Sequence, residues 1–309
     1  MKVLEVVSVN ISEKKGTVKH PVESIRLCAT GIENDAHAGS WHRQVSLLAK
    51  ESIEKAEESA GMKFPDGTFA ENITTRGIEI HRTNILDRFE NDTVSLEVTQ
   101  IGKKCHAKCA IGRQVGNCIM PLEGIFARVL KEGDLKGGDR LNYIRKVFHA
   151  TIITLSDRAS SGEYEDKSGP AIRAHLEKWA EQQNLELAID TLIIPDEPEQ
   201  LKSEIETLLQ SGCDFIFTTG STGIEERDIA PETIGLLLDK EIPGIMEMVR
   251  MKYGMEKPNA LLSRSLAGVI NNTLIYVLPG NPKAVNEYME EIGKVLFHSI
   301  LMLHSIGNH

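Results

Sequence analysis

From His149 onward, short runs of β-branched and aromatic residues alternate with stretches whose apolar residues recur at helical spacing. This alternation constrains the chain more than any other feature. "HATIITLS" (149–156), "LELAIDTLII" (185–194), "CDFIFTTG" (213–220) and "NTLIYVLPG" (272–280) read as buried strands. Between and after them, "PAIRAHLEKWAEQQN", "PEQLKSEIETLLQSG", "APETIGLLLDK" and "NPKAVNEYMEEIGKVLFHSILMLHS" read as helices, all four opening on or next to proline. Right-handed crossovers then give an α/β domain with a mostly parallel sheet flanked by helices. In such sheets ligands sit beyond the carboxyl ends of the strands.

Four segments follow those strand ends: "SDRASSGEYEDKSG", "PDEPE", "STGIEERD" and "PGNP". Two are rich in Gly, Ser and Thr, whose amides and hydroxyls suit anionic oxygens. Two contribute isolated carboxylates, Asp196 and Asp228, which suit a hard cation such as Mg2+. Any one Gly-rich segment alone is more often an ordinary turn, and "PDEP" alone a helix start; the convergence of four such loops on one edge is what brings a phosphate site level with that reading. No G-x-x-x-x-G-K-[ST] loop is present, so the chain is not a P-loop enzyme.

The first part reads differently. "VLEVVSVN", "TVSLEVTQ" and "GDRLNYIR" are short alternating strands separated by Gly, Asn and Asp turns, with one clear helix in "AKESIEKAEESAG". A β-rich, barrel-like domain is expected. Charge supports a boundary near residue 146: residues 1–146 carry 22 Lys+Arg against 20 Asp+Glu, and the remainder 13 against 25. Two domains follow, 1–146 and 147–309. The acidic second half is a poor nucleic-acid binder. No apolar run approaches a membrane span, and the N-terminal segment is strand-like rather than a leader. Five unevenly placed cysteines argue for a reducing, cytoplasmic setting without a disulfide framework.

"GKKCHAKCAIGRQVGNC" places Cys105, Cys109 and Cys118 among Lys103, Lys104, Lys108 and Arg113. Three readings stay open: a metal or iron–sulfur site, although the spacing is no standard pattern; structural cysteine; and a reactive thiolate, which Cys105 after two lysines fits best.

The segments "ITLSDRASSGEYEDKSGPAI", "LIIPDEPEQ", "TTGSTGIEERDIAPETI", "IPGIMEMVR", "LLSRSLAGVI" and "LPGNPKAVNEYM" together resemble the molybdopterin-binding domain of the MogA/MoaB family. The resemblance implies adenylylation of molybdopterin with ATP and Mg2+. It carries catalytic roles onto Asp196 and Asp228, with Asp228 as the metal ligand. Ser156, Asp157, Ser160, Ser161, Gly220, Ser221, Thr222, Gly223, Pro279, Gly280 and Pro282 become candidates for substrate and nucleotide binding. Where the family has a second glycine, this chain has Ser221. The resemblance also implies a homotrimer and delivery to a MoeA-like molybdenum-inserting enzyme.

"HAGSWHRQVSLL", "FAENITTRGI", "TQIGKKCHAKCAIG" and "CIMPLEGIFARVLKEGDLKGGD" resemble a MOSC domain. That resemblance implies a bound phosphorylated pterin or the molybdenum cofactor itself. It makes Cys105 a carrier of sulfur or a molybdenum ligand, and His37, His42, Arg43, Lys103 and Lys104 candidates to face the pterin. Two other readings of the whole chain stand beside this one: a non-catalytic cofactor carrier, and a thiol or iron–sulfur redox protein.

Overall fold

The computed structural model describes residues 2–103 and 118–306. It divides into two compact units, Met1–Lys146 and Val147–His309.

The first unit is built on β1 (Lys2–Ile11), β2 (His20–Val22), β3 (Ser24–Cys28), β4 (Gly31–Ile32), β5 (Val45–Ala49), β6 (Ile73–Arg76), β7 (Arg88–Glu90), β8 (Ser95–Ile101), β9 (Ile125–Lys131), β10 (Gly133–Lys136) and β11 (Arg140–Ile144). The main sheet runs β11-β7-β8-β9-β5-β6-β1-β2, and β11 also pairs with β1, which closes a barrel. Strands β5 and β6 pair in parallel, because the helix Lys50–Ala60 lies between them in the chain. Inward residues from successive strands, including Leu4, Val6, Leu47, Ile73, Phe89, Leu96, Val98 and Leu141, fill the barrel. The strict alternation in β1 slips at a bulge between Val6 and Ser8, which lets Val9 return to the core.

The second unit carries β12 (Val147–Leu155), β13 (Glu186–Ile194), β14 (Phe215–Thr219), β15 (Lys240–Glu241), β16 (Leu266–Ile270) and β17 (Thr273–Leu278), in the order β13-β12-β14-β17-β16-β15. The pairings among β13, β12, β14 and β17 are parallel. Those of β16 with β17 and of β15 with β16 are antiparallel. The central strands β14 and β17 are buried throughout, which is why they read as unbroken apolar runs. One face packs Ile153, Ile216 and Ile275 against Leu201, Ile205 and Ile234. On the other, Trp179 stands edge-on to Phe215, and Phe217 stacks on Tyr276 with centroids 4.9 Å apart.

The stretch 229–270 departs from expectation. The helix predicted over "APETIGLLLDK" stops at Gly235, and Lys240–Glu241 joins the sheet instead. A helix at Pro243–Gly254 and the strand β16 were not anticipated. β16 turns into β17 through Asn271 and Asn272, with Asn271 at φ 53°. That is the two-residue hairpin signal that asparagine in the left-handed region provides.

Candidate functional site

The parallel register places the four expected loops together. Leu155 pairs with Ile194, Thr154 with Thr219, and Thr219 with Leu278, so β12, β13, β14 and β17 all end at one edge. There the loops bond directly to each other. The Asp157 amide donates to Asp196 Oδ2 (3.2 Å) and the Asp196 amide to Asp157 Oδ1 (3.1 Å). Arg227 pairs with Asp157 Oδ2 at 2.5 Å, joining the third loop to the first. Thr219 Oγ1 donates to the Pro279 carbonyl at 2.8 Å, joining the third loop to the fourth. Burial pushes the Asp196 carboxyl above its usual range, and the charge on Asp157 adds to that push.

Two backbones approach closely here. Gly220 adopts φ 98°, and a Cβ on it would lie 2.3 Å from the Leu155 carbonyl oxygen, so only glycine fits. A Cβ on Gly280 would lie 3.2 Å from Gly220 Cα. Ser221 is itself left-handed, at φ 56°. Its hydroxyl accepts from the Ile229 amide (2.8 Å) and donates to the Arg227 carbonyl (2.9 Å), tying the loop across its own neck. Asp228 Oδ2 accepts the Glu225 amide at 2.9 Å.

The expected residues do not all serve alike. The Gly220 amide already donates to the Leu278 carbonyl, which removes it as a donor to a ligand. The amides of Ser221, Thr222 and Gly223 have no acceptor among the described residues. Ser156 caps the short helix Asp157–Ser160 by accepting the Ala159 amide, and it lines a cavity of about 230 Å³. Gly220, Gly280 and Pro282 line the same cavity. Ser160 and Ser161 do not; their hydroxyls turn back to the carbonyls of Asp157 and Arg158. Pro279 lines a second cavity, of about 270 Å³, with Ser263, Asn281, Lys283, Lys257 and Tyr288. The Pro279–Pro282 turn therefore forms a wall of both.

Sequence reasoning missed two contributors. Asp166 accepts from Thr154 Oγ1, Ser168 and the Gly169 amide at the start of the helix Ser168–Gln182. Burial alone would raise its pKa, but these donors outweigh that and hold it below the usual range. The helix-start pattern in "EDKSGP" could have flagged it. Arg264 grips the third loop: Nε donates to the Gly223 carbonyl (2.5 Å), Nη2 to the Asp228 carbonyl (2.7 Å), and Nη1 pairs with Glu232. No local signal marks Arg264, because its partners lie 32 to 41 residues away.

In the first unit, Lys104, Cys105 and Cys109 lie outside the described residues. Lys103 Nζ stands 5.8 Å from the centre of the Phe126 ring. The Arg43 guanidinium lies 4.7 Å over Trp41. The buried atoms His42 Nδ1 and Arg43 Nε have no hydrogen-bond partner among the described residues. Burial lowers the His42 pKa, with Arg43 and Arg128 adding to the effect. His37 sits beside a buried ion pair: Lys19 bonds Asp35, and Lys19 Nζ lies 3.4 Å from His37 Nδ1. Among the described residues, no group of three or more His, Cys, Asp or Glu is arranged to hold a metal. No described helix is long and apolar enough to cross a membrane.

Fold and site define an α/β domain with four strand-end loops gathered at one sheet edge, joined in the chain to a closed β-barrel. The family model described as a probable molybdopterin binding domain matches residues 151–298, and the MOSC domain model matches residues 34–142. A molybdopterin adenylyltransferase from Helicobacter pylori (strain J99) is 36% identical over 165 residues, covering 53% of this chain and 91% of that protein. A molybdenum cofactor biosynthesis bifunctional protein from Chlorobaculum tepidum is 34% identical over 159 residues, covering 51% of this chain and 49% of its own length. The solved molybdopterin biosynthesis enzyme MoaB from Thermus thermophilus is 38% identical, covering 50% of this chain and 96% of that one, with a TM-score of 0.46. The chain belongs to the molybdopterin adenylyltransferase family through its second unit, and its first unit contains a MOSC domain.

Proposed function

We propose that the second unit adenylylates molybdopterin in molybdenum-cofactor biosynthesis. The terminal phosphate oxygen of molybdopterin attacks the α-phosphorus of ATP, and the bond to the β-phosphate breaks to release pyrophosphate. The observation that carries this reading is the pair of cavities on either side of the Pro279–Pro282 turn, since a two-substrate transfer needs two adjacent sites with a shared wall. The cavity bounded by Ser156, Gly220 and Gly280 suits nucleotide phosphates; that bounded by Lys283 and Tyr288, where Lys257 is already paired with Glu287, suits a ring whose anion is met by Lys283. Little covalent work falls to the protein, so orientation and charge placement carry the rate.

The donor set fits a nucleotide Mg2+. Such an ion keeps several waters and needs one or two carboxylates beside the substrate phosphates. Asp196 and Asp228 stand on the two loops that flank that of Asp157, which bonds Asp196 and already holds a cation, the Arg227 guanidinium. When bound, the ion would neutralise charge on the phosphates. The chain's own part is to fix the loops: Arg264 and Ser221 hold the third, and the Asp157–Asp196 exchange holds the first two.

The first unit, in this reading, binds the cofactor or handles its sulfur through Cys105, and covalent linkage keeps the two pterin sites at high effective concentration. A cytoplasmic homotrimer that hands its product to a MoeA-like enzyme completes the reading. Incubating the full chain with molybdopterin, ATP and Mg2+, then weighing the pterin by mass spectrometry, tests the activity. A pterin that gains no adenylyl group refutes it and leaves the carrier reading. Light scattering of the pure chain tests the trimer.

A further inference from the structure

The ion pair between Arg227 and Asp157 joins the third loop to the first, next in the chain to Ser156 and Arg158 of the smaller cavity, and is exposed on both sides, 66% for the Arg227 side chain and 42% for that of Asp157. A pair so open to water contributes little to stability and exchanges readily. The backbone beneath it is fixed. The Arg227 carbonyl accepts the Ser221 hydroxyl, and the next residue, Asp228, is gripped through its own carbonyl by Arg264. Only the Arg227 side chain is left to move. Its partner is equally fixed, since Asp157 uses its amide and its Oδ1 on Asp196. A guanidinium is thus parked on one carboxylate oxygen, on the same loop as the Ser221–Gly223 amides, which have no acceptor among the described residues.

Charge around the cleft gives this arrangement a purpose. The second unit is strongly acidic, and Asp157, Asp196, Glu225, Glu226 and Asp228 all lie on the first three loops. A polyphosphate meets repulsion there unless cations receive it. Arg158 and Lys167 line the smaller cavity, and Arg227 is the cation of the third loop. A planar guanidinium bonds phosphate through two parallel N–H groups, and a polyphosphate carries more charge than one carboxylate.

We propose that Arg227 is a positioning residue for the nucleotide's polyphosphate, held in reserve on Asp157 and transferred to the phosphates when they enter. The inference rests on the nucleotide reading of this cleft. It gives Asp157 a second role: it stores the cation at rest and competes with the phosphates for it. The alternative is a loop staple, which would matter to stability and not to ligand affinity.

Titration calorimetry of the full chain with inorganic pyrophosphate separates the two. Arg227→Gln should weaken pyrophosphate binding by about tenfold or more, as expected for loss of a charge-assisted pair. Asp157→Asn keeps an oxygen to accept the Asp196 amide but releases Arg227, and should tighten binding by roughly two- to fivefold, the equivalent of a surface ion pair. Arg227→Lys should recover only part of the loss, because a point charge cannot make the paired bonds. Wild-type affinity in Arg227→Gln, with only a lowered melting temperature, overturns the proposal in favour of the staple. Unchanged or weaker binding in Asp157→Asn overturns the reserve role. No binding of pyrophosphate to the wild-type chain instead overturns the nucleotide reading itself.

Discussion

Asp157 and Asp196 each donate a backbone amide to the other's carboxylate, at 3.2 and 3.1 Å. The exchange locks two loops and sets two like charges side by side, with burial and the neighbouring charge both raising the Asp196 pKa. A raised aspartate pKa means that the fold favours the protonated form. Any stabilisation linked to that proton is present at low pH and fades as pH rises through the folded value. Activity that needs the carboxylate runs the other way. The acid limb of kcat/KM should lie above the ordinary aspartate range of about 4. In Asp157→Asn it should move to lower pH. A limb that stays in place in that variant would detach Asp196 from the rate profile.

Ser221 and Gly220 predict an unusual ranking. Ser221→Ala keeps a left-handed non-glycine residue and loses both hydroxyl bonds, whereas Ser221→Gly loses the bonds but relieves the backbone. Alanine should therefore be the worse substitution, by about 1 kcal/mol. Gly220→Ala, with its Cβ driven onto the Leu155 carbonyl, should cost more, about 2–4 kcal/mol. Chemical denaturation of the three variants checks the order.

Asp228→Asn retains an oxygen for the Glu225 amide, so the turn should survive. The lost charge should lower the rate of adenylyl transfer by about 10²–10³. Circular dichroism and a melting curve matching wild type, together with that rate, are the expected pair of results; an unaltered rate would take Asp228 out of the chemistry.

In the first unit, Lys19 and Asp35 are buried with 0% and 1% of their side chains exposed. Asp35→Asn leaves a buried ammonium without its counter-charge and should destabilise the barrel by about 3–5 kcal/mol. Burial would raise the Asp35 pKa, but its bonds to His37 and Lys19 override that and hold it well below the carboxylate range. Its contribution is then present above the unfolded value and is lost as pH falls through the folded one. Lys19→Met combined with Asp35→Leu should cost less than the sum of the two single changes, as a denaturation double-mutant cycle would show.

Much of the second unit was legible because β12, β14 and β17 are apolar runs with turns at their ends, and parallel topology alone brings those ends together. Asp196 and Asp228 could be singled out for the same reason. Arg264 could not, since its function is to reach distant carbonyls. Nor could the Arg227–Asp157 pair, whose residues lie 70 positions apart. β16 escaped because five residues between Ser265 and Asn271 carry too little periodicity to separate strand from helix. In the barrel the alternation identified strands, while Lys19, a charged residue in a short segment, gave no sign that it would be fully enclosed.

Closure of the barrel has a further consequence. Lys2 on β1 lies opposite Tyr143 on β11, so the chain enters and leaves the first unit on neighbouring strands. Such a unit is a portable cassette. Its first and last strands are paired with each other, so insertion into a surface loop of another protein should leave its strand pairs intact.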